Sequence, residues 1–218
     1  MIKERPLVLV GDSAFAEIAY EYFTHDSPFE VVGFAVERAF RKKDSLFGLP
    51  VVDFEEIEAR FAPEAHGFFA ALVYTDGNAL RERLYLAAKA KGYTPASYVS
   101  PRAFVWRNVI LGEHCFIFED NTVQPFVSLG DNVILWSGNH IGHHSRIGSH
   151  TFVSSHCVIS GFVSIGTHGF LGVNSTLANN LTVGDRVLVA AGALVIGDVP
   201  HDTRVIGLWR RPKDTASP

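Results

Sequence analysis

The chain has 218 residues, 47% hydrophobic and 19% charged, with a formal net charge of −4 and a pI near 6.2. That length suits two modest domains, and the mildly acidic balance gives no electrostatic footprint for DNA, RNA or an anionic membrane. The opening MIKERPLVLVG is not a signal pattern and no run of about 18 apolar residues occurs, so a cytoplasmic protein with no nucleic-acid or membrane partner is expected.

Pro6 to Val10 is a continuous apolar run ended by Gly11, and Phe15, Ile18, Ala19, Tyr22 and Phe23 then recur at helical spacing. Phe29 to Val36 reads as a second strand, ending at Glu37-Arg38. Strand, glycine turn, helix, strand and a terminal carboxylate open a Rossmann-like βαβ unit, in which a helix N-terminus faces phosphate. GDSAFAE keeps only the first glycine of G-x-G-x-x-G, so a purely structural βαβ stands beside the nucleotide-binding reading. Gly48 to Val52 and Phe68 to Tyr74 read as further parallel-type strands, with a helix from Phe54 to Phe61 between them. Asn78 to Lys91 reads as a helix stopped by Gly92. A boundary falls near residue 96, giving residues 1–96 as the first domain.

From Val99 to Val195 an apolar residue recurs at every sixth position, seventeen times without a slip. Neither 3.6 nor 2 gives that spacing, so a repeat architecture is required. Leu111-Gly112, Leu129-Gly130, Ile147-Gly148, Ile165-Gly166 and Val183-Gly184 recur eighteen apart. Three hexads therefore make one turn of a triangular prism over residues 97–199. Four residues after each anchor the side chain is mostly small or β-branched, so anchor and partner are expected to point inward and the other positions to be polar and outward. Turns stacked at strand spacing would stand on the order of 25 Å tall. Cys115 and Cys157 fall on the inward small position, more than two turns apart, and read as buried apolar filler rather than a disulfide. After Val195 the pattern stops, and residues 200–218 form a tail carrying Arg204, Arg210, Arg211 and Lys213. That tail reads either as a solvated cover for the open end of the prism or as a basic patch for cofactor phosphates.

Seven of the ten histidines lie in the prism. His114, Asn132, His150, His168 and Arg186 share one column, two residues after each corner glycine, and read as structural. His140, His143, His144 and His156 break that column. Adjacent His143 and His144 on an extended segment would diverge, which argues against a metal site; a general base among the four is expected, with no metal.

These hexads resemble the left-handed β-helix, hexapeptide-repeat acyltransferases. With GDSAFAE and the NALR helix in front, nearly the whole chain looks like the family of bacterial nucleotide-amino-sugar N-acetyltransferases (PglD type) and sialic acid O-acetyltransferases (NeuD type). The resemblance implies an α/β Rossmann-like domain followed by a left-handed parallel β-helix, a homotrimer, acetyl-CoA as acyl donor bound between neighbouring prisms, and a nucleotide-linked amino sugar on the N-terminal domain. The family segment I-x-H-[DE]-x-x-I-G reads here Ile141-Gly142-His143-His144-Ser145-Arg146-Ile147-Gly148, which makes His143 the base and puts His144 where an acidic residue usually orients it. A second family histidine falls on Phe152, and the resemblance offers His156 in its place. It also implies acyl-CoA contacts at Phe152, Gly161 and Val173, with Gly161 close to the acyl group and a backbone N–H near it serving the oxyanion. Substrate contacts are implied at Gly11, Ser13, Ala14 and Glu37. The usual terminal G-x-P-A-[KR] is replaced by Gly207-Leu208-Trp209-Arg210. N-acylation of a nucleotide-linked amine is the first reading; O-acetylation of a sialic-type sugar and a catalytically silent trimeric scaffold are the alternatives.

Overall fold

The computed structural model describes residue 3 and residues 5–210. The chain divides into two compact units, one running to Ser100 and taking in Glu113–Cys115, the other comprising Pro101–Gly112 and the chain from Phe116 onward.

In the first unit, β1 (Arg5–Val10), α1 (Ala14–Asp26), β2 (Phe29–Val36), β3 (Ser45–Leu46), β4 (Leu49–Asp53), β5 (Gly67–Ala70), α2 (Ala79–Ala90) and β6 (Thr94–Pro95) build one sheet in the order β3-β4-β2-β1-β5-β6. All pairings are parallel except the short β3–β4 hairpin. Strand β1 is central and covered on both faces, which is why it reads as an unbroken apolar run; Leu7, Val8 and Leu9 are fully buried. Sequence expectations fail at two places. The segment after β4 is a 3₁₀ helix, Phe54–Ala59, broken at Glu56, because so short a stretch before Pro63 gives too few hydrogen bonds to offset nucleation of an α-helix. The fifth strand ends at Ala70 rather than Tyr74, since the Leu72 N–H folds back onto the Ala70 carbonyl at 3.0 Å.

The second unit is a three-sided parallel β-helix of two-residue strands. On the first face Phe104–Val105, Thr122–Val123, His140–Ile141, Val158–Ile159, Thr176–Leu177 and Leu194–Val195 stack at eighteen-residue offsets. The second face runs from Ile110–Leu111 through Ser128–Leu129, Arg146–Ile147 and Ser164–Ile165 to Thr182–Val183. The third carries Phe116–Ile117, Ile134–Leu135, Phe152–Val153, Phe170–Leu171 and Leu188–Val189. The hexad repeats because each edge needs one strand and one tight corner. Three residues after each anchor from Leu111 to Val189 the backbone enters the left-handed region, as at His114 (φ 58°), Phe126 (66°), Asn132 (57°), His150 (64°) and Asn174 (58°). Short polar side chains adopt that conformation most readily, which accounts for the Asn and His columns.

Inside the prism, polar side chains satisfy the corner N–H groups that no strand partner reaches. Asn121 Oδ1 accepts from the Asn139 N–H at 3.3 Å, and Asn139 Oδ1 from the Cys157 N–H at 2.7 Å. Ser145 Oγ and Thr151 Oγ1 do the same for Val163 and Gly169. Both cysteines are buried and free, and burial pushes the Cys157 thiol up.

Several expectations about the prism need correction. Every anchor from Ile117 to Val195 is buried, but Val99 is exposed, and Val105 and Leu111 are only partly covered. The outward positions are not uniformly polar: Ile110, Phe126 and Phe162 are more than half exposed. The pattern also continues past Val195, since Arg204–Val205 and Leu208–Trp209 extend two of the faces through shortened turns. Arg204 and Arg210 are exposed, whereas Arg211 and Lys213 lie outside the described residues. Among the described residues no helix is long and apolar enough to cross a membrane.

Candidate active site

Two places in the chain gather chemistry, and each lies within one unit. In the α/β unit the sheet order reverses at β1, whose carboxyl end with those of β2 and β5 frames a crevice of the kind that takes ligands in open α/β sheets. The crevice there is a cleft of about 230 Å³ bordered by Gly11, Ser13, Glu37, Phe40, Leu80 and Arg83, among others. Gly11 has φ +116°, and a β-carbon there would stand 3.1 Å from the Ala71 carbonyl oxygen, so only glycine lets the chain turn out of β1. Ser13 caps α1 by position with its side chain unbonded to the helix, leaving the hydroxyl at the helix N-terminus free to meet an anion. Of the four residues expected here, Gly11, Ser13 and Glu37 line the cleft; Ala14 opens α1 but is not on its wall.

Glu37 is not a lone acceptor at the end of β2. Both its carboxylate oxygens take hydrogen bonds from Arg83, at 2.8 and 2.9 Å, and that bidentate guanidinium holds the carboxyl below the usual carboxylate range. Sequence reasoning missed Arg83. The signal was its place at helical spacing from Leu80, beside Leu84, both of which border the same cleft.

In the β-helix the histidine cluster resolves at the corner joining the first face to the second. The His143 ring lies against Gly161, one turn further on: a β-carbon at Gly161 would meet its Cε1 at 2.8 Å and its Nε2 at 2.9 Å. The His143 N–H donates to Gln124 Oε1 at 2.9 Å. His144 stacks between Phe126 and Phe162, with centroids 4.6 and 4.8 Å away, and Phe162 also takes the edge of His143 at 5.1 Å. The two histidines do not diverge. His144 has φ 60° rather than extended backbone, and this turns its Nδ1 to within 3.1 Å of His143 Nδ1. His144 and His156 (φ 58°) stand outside the His114 column, as expected, but take the same left-handed conformation at the other two corners; His140 and His143 do not. Beside them an open groove of about 540 Å³ runs along the second face, bordered by Ile110, Phe126, His144, Arg146 and Phe162, among others.

The remaining expected residues sit elsewhere. His156 occupies the corner joining the third face to the first, its ring over Gly138, and exposed Val173 lies at the same corner one turn on. Phe152 is only 4% exposed, stacked on Phe170 at 5.8 Å and near Trp136 at 5.9 Å. One chain thus holds His143, His144 and Gly161 together but puts His156 and Val173 at a different corner.

The bacterial transferase hexapeptide family (six repeats) matches residues 126–161. No curated protein sequence matches the chain. Solved structures do match over nearly its whole length. PerB from Caulobacter crescentus, in complex with CoA and GDP-perosamine, aligns at TM-score 0.82 with 24% identity, over 95% of this chain and 96% of that one. The acetyltransferase domain of PglB from Neisseria gonorrhoeae FA1090 aligns at 0.80 with 23% identity, over 90% and 94%. WeeI from Acinetobacter baumannii AYE aligns at 0.66 with 18% identity, over 94% and 97%. The chain shares their fold: an α/β Rossmann-like unit and a left-handed parallel β-helix.

Proposed function

We propose that this chain is an acetyl-CoA-dependent N-acetyltransferase that acts on the amine of a nucleotide-linked amino sugar, with His143 as general base. The observation that carries the reading is the exposed imidazole of His143 laid over Gly161 at a corner of the prism. Two further points support it. The cleft of the α/β unit offers a helix N-terminus and the Glu37–Arg83 pair to a nucleotide, and similarly folded PerB is in complex with CoA and GDP-perosamine.

The chemistry asked of the protein is modest. A thioester carbonyl is already electrophilic, so the site must hold the amine against it and take one proton. His143 Nε2 accepts the proton as the amine nitrogen bonds to the carbonyl carbon. The Gly161 N–H is the proposed donor to the oxyanion. Collapse of the tetrahedral intermediate breaks the carbon–sulfur bond, and the imidazolium returns its proton to the departing thiolate. No covalent acyl-enzyme is required.

The site needs a second prism. Two corners of one triangle cannot approach each other, so His156 and Val173 reach the His143 corner only from a neighbouring copy, and the exposed apolar residues Ile110, Phe126 and Phe162 at the groove suit such a contact. A homotrimer, with one acyl-CoA groove at each interface, satisfies this in a closed ring. Both proposed substrates are cytoplasmic metabolites, which places the reaction there.

The test is to incubate the purified chain with acetyl-CoA and a panel of UDP-, GDP- and dTDP-linked amino sugars, following thiol release and product mass. One acetyl group added to a nucleotide-linked amine supports the reading. Acetylation of a free sialic-type sugar alone, or no transfer and no binding of CoA or any nucleotide, overturns it.

A further inference from the structure

We infer that His144 is the positioning residue for His143, accepting the His143 Nδ1–H on its own Nδ1 and so holding the base in the tautomer that leaves Nε2 free. The inference rests on the general-base reading of His143 and specifies how that base is prepared.

A neutral imidazole carries one N–H, and which nitrogen bears it follows from the partner of the other. His143 can accept a proton at Nε2 only if its hydrogen is on Nδ1, and a hydrogen on Nδ1 needs an acceptor. Among the described residues no carboxylate is hydrogen-bonded to either ring, and the group facing His143 Nδ1 is His144 Nδ1 at 3.1 Å, with the rings at 88°. The neighbouring cation on the groove wall is Arg146, which cannot accept a hydrogen bond. When His143 takes the substrate proton, its Nδ1–H becomes a charge-assisted donor to the same nitrogen, and such bonds are stronger than neutral ones. A neutral imidazole thus does here what a carboxylate does in a His–Asp pair, without placing a fixed negative charge beside the thioester.

The setting of His144 is built for aim. Its left-handed backbone turns the ring back toward its neighbour, and Phe126 and Phe162 clamp it at interplanar angles of 25° and 16°. With His144 and Asn180 these two residues occupy one corner on successive turns, at positions 126, 144, 162 and 180, all with φ between 58° and 66°. The chain therefore shows that both Phe and Asn fit this backbone, which separates the two possible roles of His144. Phe keeps the stacked ring and loses the acceptor; Asn loses the ring and keeps an acceptor, since its Oδ1 is attached to Cγ as His Nδ1 is.

The experiment compares wild type, H144F, H144N and H143A as full chains. Long-range ¹H–¹⁵N spectra of histidine-labelled protein at pH 8 report the tautomer of His143 without turnover. The Nδ1–H form is expected in wild type and H144N, and the Nε2–H form in H144F. In the transferase assay H144F is expected to lose about 10–100-fold in kcat with KM for both substrates within about twofold, and H144N to recover kcat to within about fivefold of wild type. An Nε2–H His143 in wild type, or H144F matching wild type while H144N fails, overturns the inference and leaves His144 as packing. Full turnover by H143A would instead sink the general-base reading, while the tautomer spectra still decide the hydrogen bond between the two rings.

Discussion

The imidazole of His143 occupies the space that a side chain at residue 161 would need, so the two positions, eighteen apart in sequence, are fixed as one unit by stacking of successive turns. Gly161 is not required by backbone conformation, since its φ is not in the left-handed region. Gly161→Ala is therefore expected to leave the β-helix folded, with its circular dichroism preserved and its melting temperature within a few degrees. It should displace the ring and lower kcat by about 10–100-fold, because small misplacements of a catalytic group are costly. Wild-type kcat in this variant would show that the ring acts from some other position.

The Glu37–Arg83 pair gives a prediction in the α/β unit. Arg83 holds the Glu37 carboxyl below its ordinary range; the folded value being depressed, the pair is intact above the unfolded value and is lost as pH falls through the folded one. Nucleotide affinity measured by calorimetry is expected to stay flat from neutral pH through the ordinary glutamate value of about 4.3 and to weaken only below it, as Glu37 protonates. Arg83→Ala should weaken nucleotide binding about tenfold while CoA affinity stays the same. An equal loss for both ligands would remove the pair from nucleotide recognition.

The Asn ladder in the prism interior predicts a stability effect with no change in chemistry. Asn139→Ala strands the Cys157 N–H, which its Oδ1 now receives at 2.7 Å, and removes one of two donors to the Trp136 carbonyl, which keeps the hydrogen bond from Asn121 Nδ2 at 2.8 Å. Leaving buried polar groups unpaired costs about 1–3 kcal/mol each, so the melting temperature should fall by several degrees. Asn139→Leu, which also cannot bond these groups, should fare no better. An unchanged melting temperature in both variants would contradict the ladder.

Exposed apolar side chains at the groove predict assembly. Sedimentation should return a mass three times the 23.9 kDa of the chain, and Ile110→Glu, at a residue 69% exposed in the isolated chain, should shift it toward the monomer with loss of transferase activity. A wild-type monomer at micromolar concentration would contradict the shared site.

Much of the fold was legible because the hexad imposes itself residue by residue: an apolar anchor, a corner, a small inward partner, repeated from Ile117 to Val195 without exception in burial. The βαβ opening was legible from Pro6–Val10 and Phe29–Val36 for a different reason: both are largely apolar runs, buried over Leu7–Val10 and Gly33–Val36, with the charged Glu30 exposed near the start of β2. What was not legible depended on backbone conformation at single residues. Reading His143 and His144 as extended predicted diverging rings; a left-handed His144 brings them together, and one sequence carries no marker of φ beyond the Asn, Gly and His pattern of the other corners. Phe126 and Phe162 hid this pattern, since bulky aromatic residues seldom occupy the left-handed region. Arg83 was hidden by its apolar neighbours, and the Phe54 segment by a helical periodicity too short to be decisive.

The central claim is that His143 removes the proton from the acyl acceptor, and the most direct test is the single-turnover rate of His143→Asn with saturating acetyl-CoA and the nucleotide-linked amine identified as substrate. The account predicts a rate lower by about 10²–10⁴-fold, with CoA and nucleotide affinities and oligomeric mass as in wild type. A rate within a few-fold of wild type would contradict it.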